Sequence, residues 1–463
     1  MRWLRLRPHR VVVLAAAVFA VLAALTLAFG IAPLNSTDET AHIDYAVELW
    51  HGHLPQFWRG VQIAPTFGIP APVQWTAQHP PLFYAIIAPV VGPLWDGGHQ
   101  YVAVEAARSV NAVLVGLTVL AFAWSTSRIV PGRPLVTAAA AVVIAGASIP
   151  LQVGATAYND IPNLALGALA LGVGAAVIRD GLTGRRVLLA ALVAAGGMLS
   201  RLSFAAFLVA LVVAVVVSPW ARGRTWRGLL GHAAATAIVV LAPLLSAGWF
   251  YLRNRRLSGN IEGRYPQYGI EHLGRTNQSF MHVAENGTFW SFSFGLFRGQ
   301  ETPAGEAGGF VLLLVPLLLA VVVAVVGLVR RRPRVHLAGL LVGAMLVAVA
   351  LVVVVSQIQY TAGGGGVQPR YLMPVLPALV PAMAIGLAGL WAAVSAVLTS
   401  AWSLFAAFLW STLPDFTTSA SPTHASLAAT RGLGIAAGVA EVVLVGTVVW
   451  AALARQPDEV PAD

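Results

Sequence analysis

The chain contains no cysteine and no lysine, and only 10% of its 463 residues are charged. Without cysteine there are no disulfides, no thiolate nucleophile and no cysteine-based metal site. Without lysine, arginine carries every side-chain charge of the Lys/Arg type, and beside abundant Ala, Val and Gly this reads as the coding bias of a high-GC bacterium. The fingerprints of several large enzyme classes are missing as well. There is no Walker A sequence, no dinucleotide-binding glycine fingerprint, no HExxH and no GxSxG. Nucleotide hydrolysis, metalloprotease chemistry and standard serine-hydrolase chemistry therefore lack support. No internal repeat of the transporter kind is visible.

What is present is apolar. Hydrophobic residues make up 58% of the chain, the mean hydropathy is +0.78, and runs of about 20 apolar residues recur along most of its length, which predicts an all-α polytopic membrane protein. The first run, Val11 to Ala32, follows the basic leader MRWLRLRPHR. It is too long for the core of a signal peptide, no small-residue cleavage site follows, and further spans come after it, so it reads as a retained first helix.

The net charge of +10 is spread over short arginine-bearing turns such as SRIVPGRP (127–134), RDGLTGRR (179–186), SPWARGRTWRG (218–228) and RRRPR (330–334). Positive-inside topology explains these turns better than nucleic-acid binding does. Threading the apolar runs between them gives about eleven to thirteen spans in one integral membrane domain, 1–463, with a cytoplasmic N-terminus in a bacterial inner membrane. The long polar segments 33–104 and 251–308 then lie outside the cytoplasm, together with most of the acids, and 414–431 reads as a flexible loop. Two short apolar runs meet at Arg201, on the side opposite the cytoplasmic arginines.

The stretch LNSTDETAHIDYAVELW, Leu34 to Trp50, concentrates acids in a chain that has few. Its STDE fits a capping box, with Ser36 as N-cap and Glu39 reaching back to it. In the helix that follows, Asp38, His42 and Tyr45 share one face, while Ile43, Val47 and Trp50 are expected against the membrane surface. Asp38, at a helix N-terminus, is held ionised as a general base must be. Two prolines enter a short apolar helix after His79, in QHPPLFYAII, and AYNDIP places Tyr158, Asn159 and Asp160 at the outer start of a span. Asp160 serves equally as an N-cap or as a second acid beside Asp38, and the two carboxylates together suggest a shared divalent cation, Mg or Mn. Arg201 is costly at membrane depth unless paired and suits a bidentate phosphate clamp. Arg253 and Arg370 repeat that argument with less force, the latter beside Tyr371 and after four consecutive glycines, Gly363 to Gly366, whose simpler reading is a flexible loop.

Taken in order, TDETAH, HPPL, EAARSVNAVLVGL, AYNDIPNLALGALAL and QPRYLMPVLPAL resemble the membrane-embedded GT-C glycosyltransferases that use polyprenyl-phosphate sugars, including the protein O-mannosyltransferases, the lipid A aminoarabinose transferases and DUF2142-type membrane proteins. The resemblance implies Asp38 as base on the acceptor hydroxyl, with Glu39 its motif partner and Asp160 a second catalytic acid. It further implies His79, Arg201 and Arg370 around the substrates, and the reading of the residues adds His42, Tyr158, Asn159, Arg253 and Tyr371 to the substrate-binding candidates. The partners it implies are a polyprenyl-phosphate-linked sugar, an envelope glycan, lipid or protein as acceptor, and membrane lipids. A flippase for lipid-linked sugars and a non-catalytic assembly protein with the same fold stay open as alternatives.

Overall fold

The computed structural model describes residues 7–221, 229–331, 336–413 and 424–454. Its helices run α1 (Pro8–Gly30), α2 (Thr37–Trp50), α3 (Leu82–Asp96), α4 (Gln100–Ile129), α5 (Pro134–Ala145), α6 (Ser148–Gly154), α7 (Asp160–Asp180), α8 (Gly184–Ser200), α9 (Ala205–Ala221), α10 (Leu229–Ser258), α11 (Pro266–Leu273), α12 (Phe280–Glu285), α13 (Gly287–Ser293), α14 (Pro303–Arg331), α15 (Leu337–Ala362), α16 (Pro369–Leu372), α17 (Leu376–Ala388), α18 (Ala392–Ser411) and α19 (His424–Leu453). Among the described residues ten helical stretches are long and apolar enough to cross a membrane, or eleven with the bent pair of α5 and α6. This is the low end of the expected range. The turn residues 222–228 and 332–334, the loop residues 414–423 and the tail from 455 lie outside the described residues, and 424–431, expected as loop, start α19.

The bundle is wound around α1, which packs against α4, α5 and α19, while α7 lies between α4, α8 and α9. The spans at this centre carry small residues on their buried faces: Ala16, Ala20, Ala23 and Ala24 of α1 are buried, as are Gly167, Ala168, Gly172 and Ala175 of α7. In lipid, where apolar burial drives association weakly, such faces let helices approach closely and gain packing. The outer helices α14, α15 and α19 instead expose leucine and valine.

Both long polar segments lie at one end of the bundle. The first is shorter than expected, since α4 already begins at Gln100, and the second narrows to 259–302 because α10 runs on to Ser258 and α14 starts at Pro303. Of the apolar side of α2 only Trp50 stays exposed, at 44%. Ile43 and Val47 are 0% and 5% exposed, because α3 folds back over them and contributes Phe83, Tyr84, Ile87 and Val91 to a shared core. Ile86 and Val90 of α3 form the exposed apolar surface in their place. The two helices close at Gly92, where a Cβ would lie 2.1 Å from the Trp50 ring, and the indole N–H of Trp50 donates to Asp96 at 3.0 Å.

Candidate functional site

Ser36 caps α2, its Oγ accepting the Glu39 N–H at 3.1 Å. Only this half of the capping box forms. The Glu39 carboxylate turns into the protein and takes a bidentate contact from Arg108 of α4, at 2.7 Å from Nε and 2.6 Å from Nη2, with both side chains fully buried. Arg108 also donates to the carbonyls of Ala28, Ile31 and Ala32, which the end of α1 leaves without helical partners, and Glu39 accepts the Ala157 N–H at 3.2 Å. One turn along α4, the Asn111 amide donates to the carbonyls of Val153, Thr156 and Tyr158 at 3.0, 2.7 and 3.1 Å. Glu39, expected in the chemistry, is therefore a structural anchor. A charged and an amide side chain inside an otherwise apolar span are the signal that pointed to Arg108 and Asn111 and was passed over.

Asp38, one residue earlier and so about 100° around the helix, points the other way. It lines a cavity of about 900 Å³ whose wall also includes His42, His79, Tyr158, Asp160 and Arg201. Asn159, Arg370 and Tyr371 belong to the same wall, and Arg275, Arg298, Gln357, Tyr360 and Gln368, none of them singled out from the sequence, are among its other polar residues. Arg253 does not line this cavity. Its guanidinium donates to the carbonyls of Leu54 and Pro55 and so ties α10 to the first polar segment.

Within the cavity Asp38 and Asp160 are each paired with an arginine. Arg370 binds the Asp38 carboxylate and lies over the Tyr158 ring at 4.4 Å, and Tyr158 shares a 2.8 Å hydrogen bond with Ser36. Arg201, in extended conformation between α8 and the short turn Leu202–Phe204, binds Asp160, the first residue of α7. Asn159, the N-cap position, makes no side-chain cap. One oxygen of each acid is engaged by an arginine, and among the described residues no group of three His, Asp or Glu converges on a common point.

Burial is the main cause that holds His42 and His79 well below the usual imidazole range; the charges of Arg201 and Arg370 add to it, and for His42 the neighbouring His79 does too. Both rings are therefore neutral near pH 7. They stack 6.0 Å apart, and His42 Nδ1 shares a 2.9 Å hydrogen bond with the Tyr84 hydroxyl. The Tyr158 phenol is pushed up to about 12, chiefly by burial, and stays protonated.

At Arg201 the polar cavity adjoins a second one of about 910 Å³, which runs as an apolar groove between α9 and α15. Val209, Val213 and Val217 form one wall, Met345, Val349 and Val353 the other, and His79, Arg201, Tyr360 and Tyr371 stand in the walls of both cavities.

A polytopic helical bundle whose two polar segments meet over a charged cavity, with an apolar groove adjoining it, is a fold found among solved membrane proteins. Two crystal structures of ArnT from Cupriavidus metallidurans share it. The one bound to undecaprenyl phosphate superposes with a TM-score of 0.52 at 17% identity, covering 96% of this chain and 74% of that one. The apo form gives 0.50 at 16% identity, covering 93% of this chain and 72% of that one. The apo oligosaccharyltransferase of Archaeoglobus fulgidus gives 0.52 at 12% identity, covering 97% of this chain and 57% of that one. The sequence profile of the DUF2142 family, described as a predicted membrane protein, matches residues 138–379, and the chain belongs to that family. Among curated proteins no sequence matches it.

Proposed function

We propose that the protein is a glycosyltransferase that moves a sugar from a polyprenyl monophosphate to a hydroxyl of an extracytoplasmic acceptor. The observation that carries this reading is the continuity at Arg201 between the apolar groove and the acid-bearing cavity. A polyprenyl chain in the groove brings its phosphate to Arg201, where a planar guanidinium provides paired hydrogen bonds to phosphate oxygens. The ArnT structure with undecaprenyl phosphate supports the reading, because that protein binds such a lipid on the same fold.

In the proposed reaction the acceptor hydroxyl attacks the anomeric carbon as the bond from that carbon to the phosphate oxygen breaks. Polyprenyl phosphate leaves, the hydroxyl proton passes to Asp38, and a single displacement inverts the anomeric centre. Arg370 engages one oxygen of the Asp38 carboxylate. A phosphate oxygen competing for Arg370 releases that carboxylate, so the base becomes active when the donor is in place. Asp160 holds Arg201 and acts as its positioning partner. The neutral His42 and His79 add no positive charge, which leaves the phosphate to the arginines.

The test is release of free polyprenyl phosphate by protein purified into lipid, supplied with a panel of polyprenyl-phosphate sugars and a crude envelope acceptor. Release by the wild type and its loss in Asp38→Asn with folding intact is the expected result. Equal release by both would remove Asp38 from the chemistry, and no release with any donor would overturn the transferase reading.

A further inference from the structure

The four consecutive glycines are not a slack loop. Gly363 forms an antiparallel bridge with Asn277, and Gln278 N–H donates to the Ala362 carbonyl at 2.9 Å, so the run is docked on the second polar segment. Gly364 adopts φ +74°, a conformation that residues with a Cβ rarely take. A Cβ at Gly365 would lie 2.3 Å from the Tyr360 ring, and one at Gly366 would lie 3.4 Å from Arg275 Nη2. Gly365 thus lets the Tyr360 ring lie against bare backbone, and Arg275 rests in ordinary contact distance of Gly366.

On the far side of this run is an outer cavity of about 360 Å³. Gln278, Asn286, Thr288 and Thr361 supply amides and hydroxyls to it, Phe289 and Phe292 supply aromatic surface, and no carboxylate is on its wall. Arg275 lines both this cavity and the large charged one. It differs from the arginines around it. Arg201, Arg264, Arg298 and Arg370 each pair with an acid, whereas Arg275 makes no ion pair among the described residues.

We propose that the outer cavity is a subsite for the acceptor, and that it takes a sugar unit bearing an acidic substituent, a carboxylate or a phosphate, with Arg275 as the anion contact. Amides, hydroxyls and aromatic faces in a shallow cleft suit a sugar ring, with its many hydroxyls and apolar faces. A guanidinium with no carboxylate partner suits one negative charge on that ring. The inference deepens the transferase reading, since a glycan held here extends past Arg275 toward Asp38.

The experiment is calorimetric binding to the full chain in lipid nanodiscs. The probes are a galacturonic acid trisaccharide, its carboxyl-reduced neutral counterpart and a phosphorylated neutral trisaccharide. The wild type is expected to bind at least one acidic probe about tenfold more tightly than the neutral one. Arg275→Gln should abolish that preference and Arg275→Lys should keep part of it, with thermal melting confirming that each variant is folded. Which acidic probe binds identifies the substituent. Equal binding of all three probes, no binding of any, or a preference that survives in Arg275→Gln would overturn the proposal. Binding of undecaprenyl phosphate by the wild type is measured separately, and its failure would count against the donor reading while leaving the oligosaccharide result standing.

Discussion

Asp38 and Glu39 are neighbours in sequence, and each is held by one arginine, yet they belong to different parts of the molecule. Glu39 and Arg108 are fully buried and tie the end of α1, the start of α2, α4 and the Ala157 backbone into one knot. Asp38 keeps 36% of its side chain exposed, at the wall of the large cavity, where Arg370 meets it. A turn of about 100° between successive helical residues separates a structural ion pair from an exchangeable one. The same two residue types form a sealed anchor in one place and a pair on a cavity wall in the other, according to how much water reaches them.

Cutting the buried pair has the largest expected effect. Arg108→Ala leaves the Glu39 charge without compensation and should cost about 3–5 kcal/mol, whereas exchanging both residues for apolar ones of similar size should recover much of that loss. Thermal unfolding in detergent reads both, and an Arg108→Ala protein as stable as the wild type would contradict the anchoring role. Asp38→Asn should do the reverse, lowering transfer at least about 100-fold while melting within about 1 kcal/mol of the wild type. A large loss of stability there would make the two pairs equivalent.

Arg201→Gln sharpens the comparison at the mouth of the groove. Losing a charge-assisted contact to phosphate should raise the donor KM by about tenfold, with kcat changed less. A fall confined to kcat would place Arg201 at the transition state instead. Stability itself should also depend on pH. Because His42 and His79 have folded-state values well below the unfolded value of about 6.5, the unfolded chain binds more protons as the pH falls. Stability should be unaffected above about pH 6.5 and decline below it by up to about 1.4 kcal/mol per pH unit for each ring. A His42→Gln, His79→Gln double variant that keeps the full decline between pH 6.5 and 5 would show that other groups cause it.

Much of this was legible in the amino-acid order. Apolar runs and arginine turns locate the spans, STDE marks where α2 starts, Pro80 and Pro81 mark where the chain turns into α3, and the two short runs do meet at Arg201. The structure puts Asp38, Asp160, Arg201 and Arg370 on one wall although they are far apart in sequence. Other features were hidden. The inward turn of Ile43 and Val47 depends on α3 lying over them, and nothing in the α2 periodicity says which neighbour covers an apolar face. Arg253 resembled a phosphate ligand because residue type alone cannot distinguish an arginine that binds an anion from one that binds carbonyls.

The sequence by itself determined that this is a helical membrane protein with its acids gathered at one end. Hydrophobic length and charge placement are properties of each segment separately, and the membrane reads them segment by segment. Which acid meets which arginine, that Arg275 stands between two cavities without a carboxylate partner among the described residues, and that a groove from α9 and α15 reaches Arg201 emerge only when the helices pack. Those are relations between segments, set by how small-residue faces let the helices close and by the cost of leaving a charge unpaired away from water.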